Sequence, residues 1–266
     1  MPYAIRDGTR IYWTETGAGE PLLLIMGLGA THEWWYRLAP IVSERFRTIM
    51  HDNRGVGRSD VPPGPYAIAD MADDAAAVLD AAGVDEAHVF GASMGGMIAQ
   101  ELVLRHPRRV RSLILGCTAC GGRESVPARR EVLDALTTRS GMTREQAMRA
   151  MVPYIFDVGT PRDRIEEDLE RRLAATVPDE GYLAQLQGIR AWTGTHARLA
   201  TITVPTLVIH GETDQLVPPE NGPILARAIP GATLVMLPRA GHIFMTDQLD
   251  AASDAIMAFL GERVAA

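Results

Sequence analysis

Gly91-Ala92-Ser93-Met94-Gly95 decides how this chain is read. An apolar run, Ala87-His88-Val89-Phe90, leads into it, and a helix-like run from Gly96 to His106 leaves it. A strand that turns this sharply into a helix holds the central serine in a strained conformation, with its hydroxyl beyond the strand's C-terminal end. Glycines two before and two after are needed because side chains there would collide across the turn. The G-x-S-x-G pentapeptide is short enough to arise by chance, so its surroundings must confirm it.

The surroundings alternate. Tyr3–Ile5, a turn at Asp7-Gly8 and Arg10–Thr14 read as a hairpin. Leu22–Met26 is a continuous apolar run between glycine-rich turns, as a buried parallel strand requires. Trp34–Arg45 reads as a helix, Phe46–Asp52 as a strand, and Ala69–Ala82 as a helix closed by Gly83. The strand to Phe90, the turn, its helix and a strand through Gly116 follow. Strand and helix in this alternation predict a mostly parallel, doubly wound α/β sheet. Between Gly121 and Ala200 the rhythm breaks into helical stretches, 128–140, 143–151, 162–176 and 181–192. Strand character returns at Thr203–Gly211 and Thr233–Leu237, with a last helix over Leu249–Leu260. The expected organisation is a core of residues 1–121 and 201–266 with an inserted helical cap over 122–200.

Composition removes several classes of function. The 266 residues suit one α/β domain with an insertion. A net charge of −7 without any basic block argues against nucleic acid or an anionic membrane surface as partner. All 26 basic residues are arginine, which rules out Schiff-base chemistry, pyridoxal phosphate anchoring and a phosphate-loop lysine. The opening residues have no signal-like apolar core and no run reaches membrane-span length, so a cytoplasmic protein is expected. Cys117 and Cys120 are spaced C-x-x-C but end a strand and have no second ligand pair. They are expected to be small buried thiols, with no metal and no cofactor.

A serine hydroxyl needs a base to take its proton and a third group to orient that base. Downstream, Asp214 lies just past the strand ending at His210, and His242 one loop past the strand ending at Leu237. Both therefore fall at the sheet edge where Ser93 stands. With these, Asp52-Asn53-Arg54-Gly55-Val56-Gly57-Arg58-Ser59 completes a set of motifs. The chain resembles, essentially end to end, an α/β-hydrolase of the capped serine esterase and lactonase branch. The resemblance implies Ser93 as nucleophile, His242 as base and Asp214 as orienting acid, with Glu212 the rival acid. It also implies an oxyanion hole from the backbone N–H groups of Met94 and Leu28. Relatives usually carry His-Gly where this chain has Met26-Gly27, so a side chain that commonly braces the oxyanion loop is missing. Asp52 and Arg54 are expected to hold their loop by hydrogen bonds.

The pocket is expected to be apolar, lined by Trp34, Met97, Val217 and Phe244 from the core and by Phe156 and Trp192 from the cap. The implied substrate is a small to medium carboxylic ester. An enol-lactone hydrolase stays open as an alternative, its acidic substrate asking for a pocket cation such as Arg190. A slow hydrolase-like ligand receptor stays open too. Serine at the elbow argues against the dehalogenases and epoxide hydrolases of this fold, which use aspartate. Ile243 lacks the tryptophan that often follows Gly-His in the carbon–carbon bond hydrolases.

Overall fold

The computed structural model describes residues 2–137 and 141–264, with side chains through Gly261. Among them, eight strands form one sheet: β1 (Tyr3–Arg6), β2 (Thr9–Thr16), β3 (Glu20–Ile25), β4 (Phe46–His51), β5 (Ala87–Ala92), β6 (Val110–Gly116), β7 (Thr206–Gly211) and β8 (Thr233–Leu237). Their order is β1-β2-β4-β3-β5-β6-β7-β8, antiparallel at β1/β2 and β2/β4 and parallel from β4 onward. The short α1 (Ala39–Val42), then α2 (Ile68–Ala81) and α3 (Met94–Arg105) connect the first strands. Between β6 and β7 run α4 (Arg130–Thr137), α5 (Arg144–Ile155), α6 (Arg162–Ala174), α7 (Asp179–Ala191) and α8 (His196–Leu199). α9 (Asn221–Ala228) links β7 to β8, and α10 (Phe244–Asp247) and α11 (Leu249–Val264) follow.

The central strands are apolar on both faces because both faces are covered. Every residue of β5 and β7 is buried, and Leu22 to Ile25 of β3 have no exposure. Successive side chains point to opposite faces. Leu23, Ile25, Val89, Leu113 and Val208 therefore pack with α2 and α3. Leu22, Leu24, Phe90, Ile114 and Ile209 pack on the other side with Trp35 and with Ile256, Phe259 and Leu260 of α11. β3 pairs with β4 on one side and β5 on the other, so the winding reverses there and opens a crevice at the strands' C-terminal ends. The inserted helices have an apolar cluster of their own, Ala128, Val132, Met151, Ile155 and Phe156. Leu216 and Ile243 from the loops after β7 and β8 pack against it.

One expected element differs. Trp34–Arg45 is not a single helix but a 3-10 turn, His32–Trp35, followed by α1. Pro40 has no N–H and is tolerated only in a first turn, so the helix restarts at Ala39. The helix expected over 128–140 is described as Arg130–Thr137; residues 138–140 lie outside the described residues.

The loop after β4 is tied by charge. Asp52 Oδ1 accepts hydrogen bonds from the backbone N–H and Nδ1 of His32, both at 2.8 Å, and Oδ2 accepts from Arg58 N at 2.9 Å. Burial opposes ionisation of Asp52, but these donors outweigh it and hold the carboxyl below its usual range. A Cβ on Gly57, at φ +61°, would lie 2.1 Å from Asp52 Oδ2, so the loop closes on its aspartate only with glycine there. Arg54 Nε and Nη2 donate to the two oxygens of Asp74 on α2 at 2.6 and 2.7 Å, both residues buried. Removing one partner of such a pair strands a buried charge. Asp74→Ala is therefore expected to lower the unfolding free energy by about 3–5 kcal/mol, read from urea denaturation. Deleting the acid of the exposed Arg10–Asp60 pair is expected to matter far less.

Candidate active site

The turn at Ser93 is as tight as its glycines suggest. A Cβ on Gly91 would stand 2.1 Å from Gly95 O, and one on Gly95 would stand 2.0 Å from Ile25 O. Ser93 sits at φ 59°, ψ −123°, outside the regions that side chains favour. It is held there by Ser93 N donating to Gly116 O at 2.9 Å and Thr118 Oγ1 donating to Ser93 O at 2.7 Å.

Three side chains meet at the C-terminal edge of the sheet. Ser93 Oγ is 3.0 Å from His242 Nε2, and His242 Nδ1 is 2.8 Å from Asp214 Oδ2. Asp214 Oδ1 accepts from the backbone N–H groups of Leu216 and Val217 at 2.9 and 2.8 Å. Burial works against a charged Asp214. The His242 charge and hydrogen bonds from His210 and His242 prevail, holding its carboxyl low. An ionised Asp214 fixes the neutral imidazole's proton on Nδ1, which leaves Nε2 to accept from the serine hydroxyl. Glu212 is exposed and takes no part. His210, fully buried, donates from Nε2 to Val217 O at 2.9 Å and backs the carboxylate of Asp214 at 3.4 Å.

The loop after β3 lies against the serine. A Cβ on Gly27 would come 3.0 Å from Ser93 Cβ, so a larger residue would press the loop and the serine apart by a few tenths of an ångström. Ala30 N donates to Gly27 O at 3.3 Å and Gly29 N to Gln185 Oε1 at 2.9 Å. The Leu28 N–H between them makes no hydrogen bond among the described residues. Met94 is the first residue of α3, where an N–H has no partner in its own helix. Gln185 also donates from Nε2 to Arg54 O at 2.8 Å and has no exposure. A side chain of α7 thus braces the loop after β3. Nothing in the sequence pattern of α7 pointed to Gln185.

A cavity of about 300 Å³ opens on Ser93 and His242. Trp34, Met97, Val217, Leu28 and Met94 line it, with Met148 and Met151 from α5. Three expected pocket residues do not. Phe156 is packed in the apolar cluster of the inserted helices. Phe244 has no exposure and packs in the core on the α11 side of the sheet. Trp192 packs beside Gly121 and donates its indole N–H to Glu101 Oε1 at 2.9 Å. Arg190, the cation considered for an acidic substrate, is exposed. Instead α6, a run of charges in sequence, turns Asp168, Arg171 and Arg172 toward the cavity. Cys117 and Cys120 are buried free thiols. Burial pushes the Cys117 thiol, which lines the cavity, well up. Among the described residues no group of His, Cys, Asp and Glu is arranged to hold a metal ion, and no helix is long and apolar enough to cross a membrane.

Residues 20–248 match the model of the alpha/beta hydrolase fold. The chain belongs to that family and is a hydrolase of it. It is 35% identical over 269 residues to a protein of Azorhizobium caulinodans named "Putative carbamate hydrolase RutD", covering 98% of this chain and 99% of that one. It is 32% identical over 243 residues to the poly(3-hydroxyalkanoate) depolymerase of Ectopseudomonas oleovorans, covering 90% and 84%. Among solved structures it is similar to Est816, described as an N-acyl homoserine lactone degrading enzyme. The TM-score is 0.85 at 30% identity, covering 97% of this chain and 100% of that one.

Phe244 lies in the core and not on the cavity. Phe244→Ala is expected to lower stability by about 3–5 kcal/mol in urea unfolding. The ratio of turnover on short and medium p-nitrophenyl esters is expected to stay the same in whatever folded fraction remains.

Proposed function

We propose that this chain is a serine hydrolase of carboxylic esters, small to medium and largely apolar, acting through an acyl-enzyme on Ser93. The observation that carries the reading is the Ser93–His242–Asp214 relay, at 3.0 and 2.8 Å, opening on an apolar cavity. Residues 1–121 and 201–266 form the catalytic core in this reading, and 122–200 the cap that selects the acyl or alcohol group.

Each residue then has one task. His242 Nε2 takes the Ser93 proton as Oγ attacks the carbonyl carbon, and Asp214 stabilises the imidazolium that forms. The N–H groups of Leu28 and Met94 donate to the oxyanion. His242 returns the proton to the leaving alcohol. It then deprotonates the water that attacks the acyl carbon and frees Ser93. A lactone is a cyclic ester and passes through the same steps, its alcohol staying on the product. The apolar cavity keeps bulk water from the oxyanion, where hydrogen bonds are strongest.

A fluorophosphonate is expected to label Ser93 and abolish hydrolysis of p-nitrophenyl butyrate; a labelled peptide elsewhere, or full activity in Ser93→Ala, overturns the assignment. Because His242 must be neutral to accept a proton, kcat/KM is expected to rise with pH through one ionisation. His242→Ala should lose about 10³-fold or more in kcat. Turnover near or above ~1 s⁻¹ on the best ester or lactone of a panel supports an enzyme, and far slower turnover with tight binding supports a ligand receptor.

Gln185→Leu keeps volume and removes the hydrogen bonds to Gly29 N in the loop after β3 and to Arg54 O in the loop after β4. It is expected to lower kcat about tenfold or more with a smaller change in KM, since the oxyanion donors act in the transition state. Equal effects on kcat and on thermal stability of the whole fold would make Gln185 a packing residue only.

A further inference from the structure

Among the described residues, four arginines line the largely apolar cavity: Arg37, Arg144, Arg171 and Arg172. Three make side-chain hydrogen bonds. Arg37 donates to Glu167 at 2.7 Å and lies 3.5 Å from Asp168. Arg171 donates to Glu167 at 3.3 Å. Arg144 donates to the carbonyls of Arg172, Leu173 and Ala175, at the C-terminal end of α6. Arg172 differs. Only 8% of it is exposed, and its guanidinium makes no hydrogen bond or ion pair among the described residues. Its guanidinium stacks on Trp34, 3.7 Å from the ring centroid, and lies 6.0 Å from that of Phe156. A stack of this kind uses the face of the guanidinium and leaves its five N–H donors unmatched.

The nearest acid does not match them either. Asp168, one helical turn earlier, is the only carboxylate on the cavity wall among the described residues. Its Oδ1 accepts from Tyr36 Oη and its Oδ2 from Thr246 Oγ1 at 2.7 Å. Burial pulls Arg172 down to about 10, with Asp168 and Tyr36 pulling the other way, so it is still a cation at neutral pH. A buried cation with an idle edge, on the wall of the cavity that holds Ser93, is chemistry for an anionic oxygen pair.

We propose that Arg172 binds a carboxylate of the substrate, so that the preferred ester or lactone carries a free carboxylate away from the bond that is cleaved. The inference rests on the ester-hydrolase reading and narrows its substrate class. The Trp34–Arg172 stack presents the guanidinium as a fixed plane, which suits bidentate contact with a carboxylate better than a mobile ammonium would. Apolar walls between Ser93 and Arg172 would hold the connecting methylenes.

The test uses Ser93→Ala protein, so that binding is measured without turnover, and follows tryptophan fluorescence, since Trp34 lies under the guanidinium. Hexanoate and octanoate are titrated against hexanamide and octanamide, which match them in length and shape. The carboxylates are expected to bind about 10–100-fold more tightly, the range of a charge-assisted contact. Adding Arg172→Gln should collapse that preference to about threefold or less; Arg172→Met, which can fill the same stack on Trp34, serves where the glutamine variant does not fold. Equal binding of acid and amide with Arg172 intact overturns the proposal, as does a preference that survives in a folded Arg172 variant. In the active protein, the kcat/KM ratio of the p-nitrophenyl monoester of adipic acid to p-nitrophenyl hexanoate should fall in the Arg172 variants by a similar factor. Hydrolysis of the hexanoate ester with no carboxylate preference would leave the ester-hydrolase reading standing and remove this one. Carboxylate binding through Arg172 without hydrolysis of either ester would do the reverse.

Discussion

The constraint on which the site depends is steric, and it lies in the backbone at Ser93. Helix α3 starts so close to β3 that a Cβ at Gly95 would stand 2.0 Å from Ile25 O, and one at Gly91 would meet Gly95 O. No relaxation of a flexible side chain relieves such contacts, because the opposing atoms are backbone carbonyls, one of β3 and one of the first turn of α3. The chain accepts an unfavourable conformation at one residue, and neighbouring strands hold it through Gly116 O and Thr118 Oγ1. Strain of this kind persists only where its surroundings over-determine it. β3 and β5, buried in the middle of the sheet, provide those surroundings.

Electrostatics repeats the same economy of position. Asp214 is buried, yet its carboxylate faces two backbone N–H groups and two imidazoles, so the charged form is the favoured one. Asp52 and the Arg54–Asp74 pair do comparable work beneath the loop after β4, where their hydrogen bonds fix the backbone. In both places a loop at the strands' C-terminal ends is shaped by a carboxylate collecting N–H donors, and in both the donors outweigh the cost of burial.

How much of this was legible in the sequence depends on which physical demand each residue answers. Glycines at 91 and 95 are legible because backbone geometry allows nothing else there. Asp214 and His242 are legible because a parallel sheet brings the ends of its strands together whatever the loop sequences are. Aromatic residues are a poorer guide: Phe156, Trp192 and Phe244 are apolar and near the right loops, but apolarity reports burial and not which cavity or core accepts it. The cap reads worst. Asp168 and Arg172 sit in a run of charges that looks like a solvated helix face, and only the packing of α6 over Trp34 and Tyr36 turns them inward. The helix expected across Trp34–Arg45 failed for a local reason, a proline whose position in the first turn the hydrophobic spacing concealed.

Gln185 gives the cap a second bearing on the core. It reaches from α7 to Gly29 N on one side and Arg54 O on the other, so the helix and the two loops beneath it form one hydrogen-bonded unit. Helices α4 to α8 leave and re-enter the sheet between the adjacent strands β6 and β7, so they could be exchanged as one segment. Here a foreign lid would arrive without the glutamine, and the loop beside Ser93 would lose a hydrogen-bonding partner in the same cut. In evolution as in the laboratory, such a graft would travel well only between chains that share this contact.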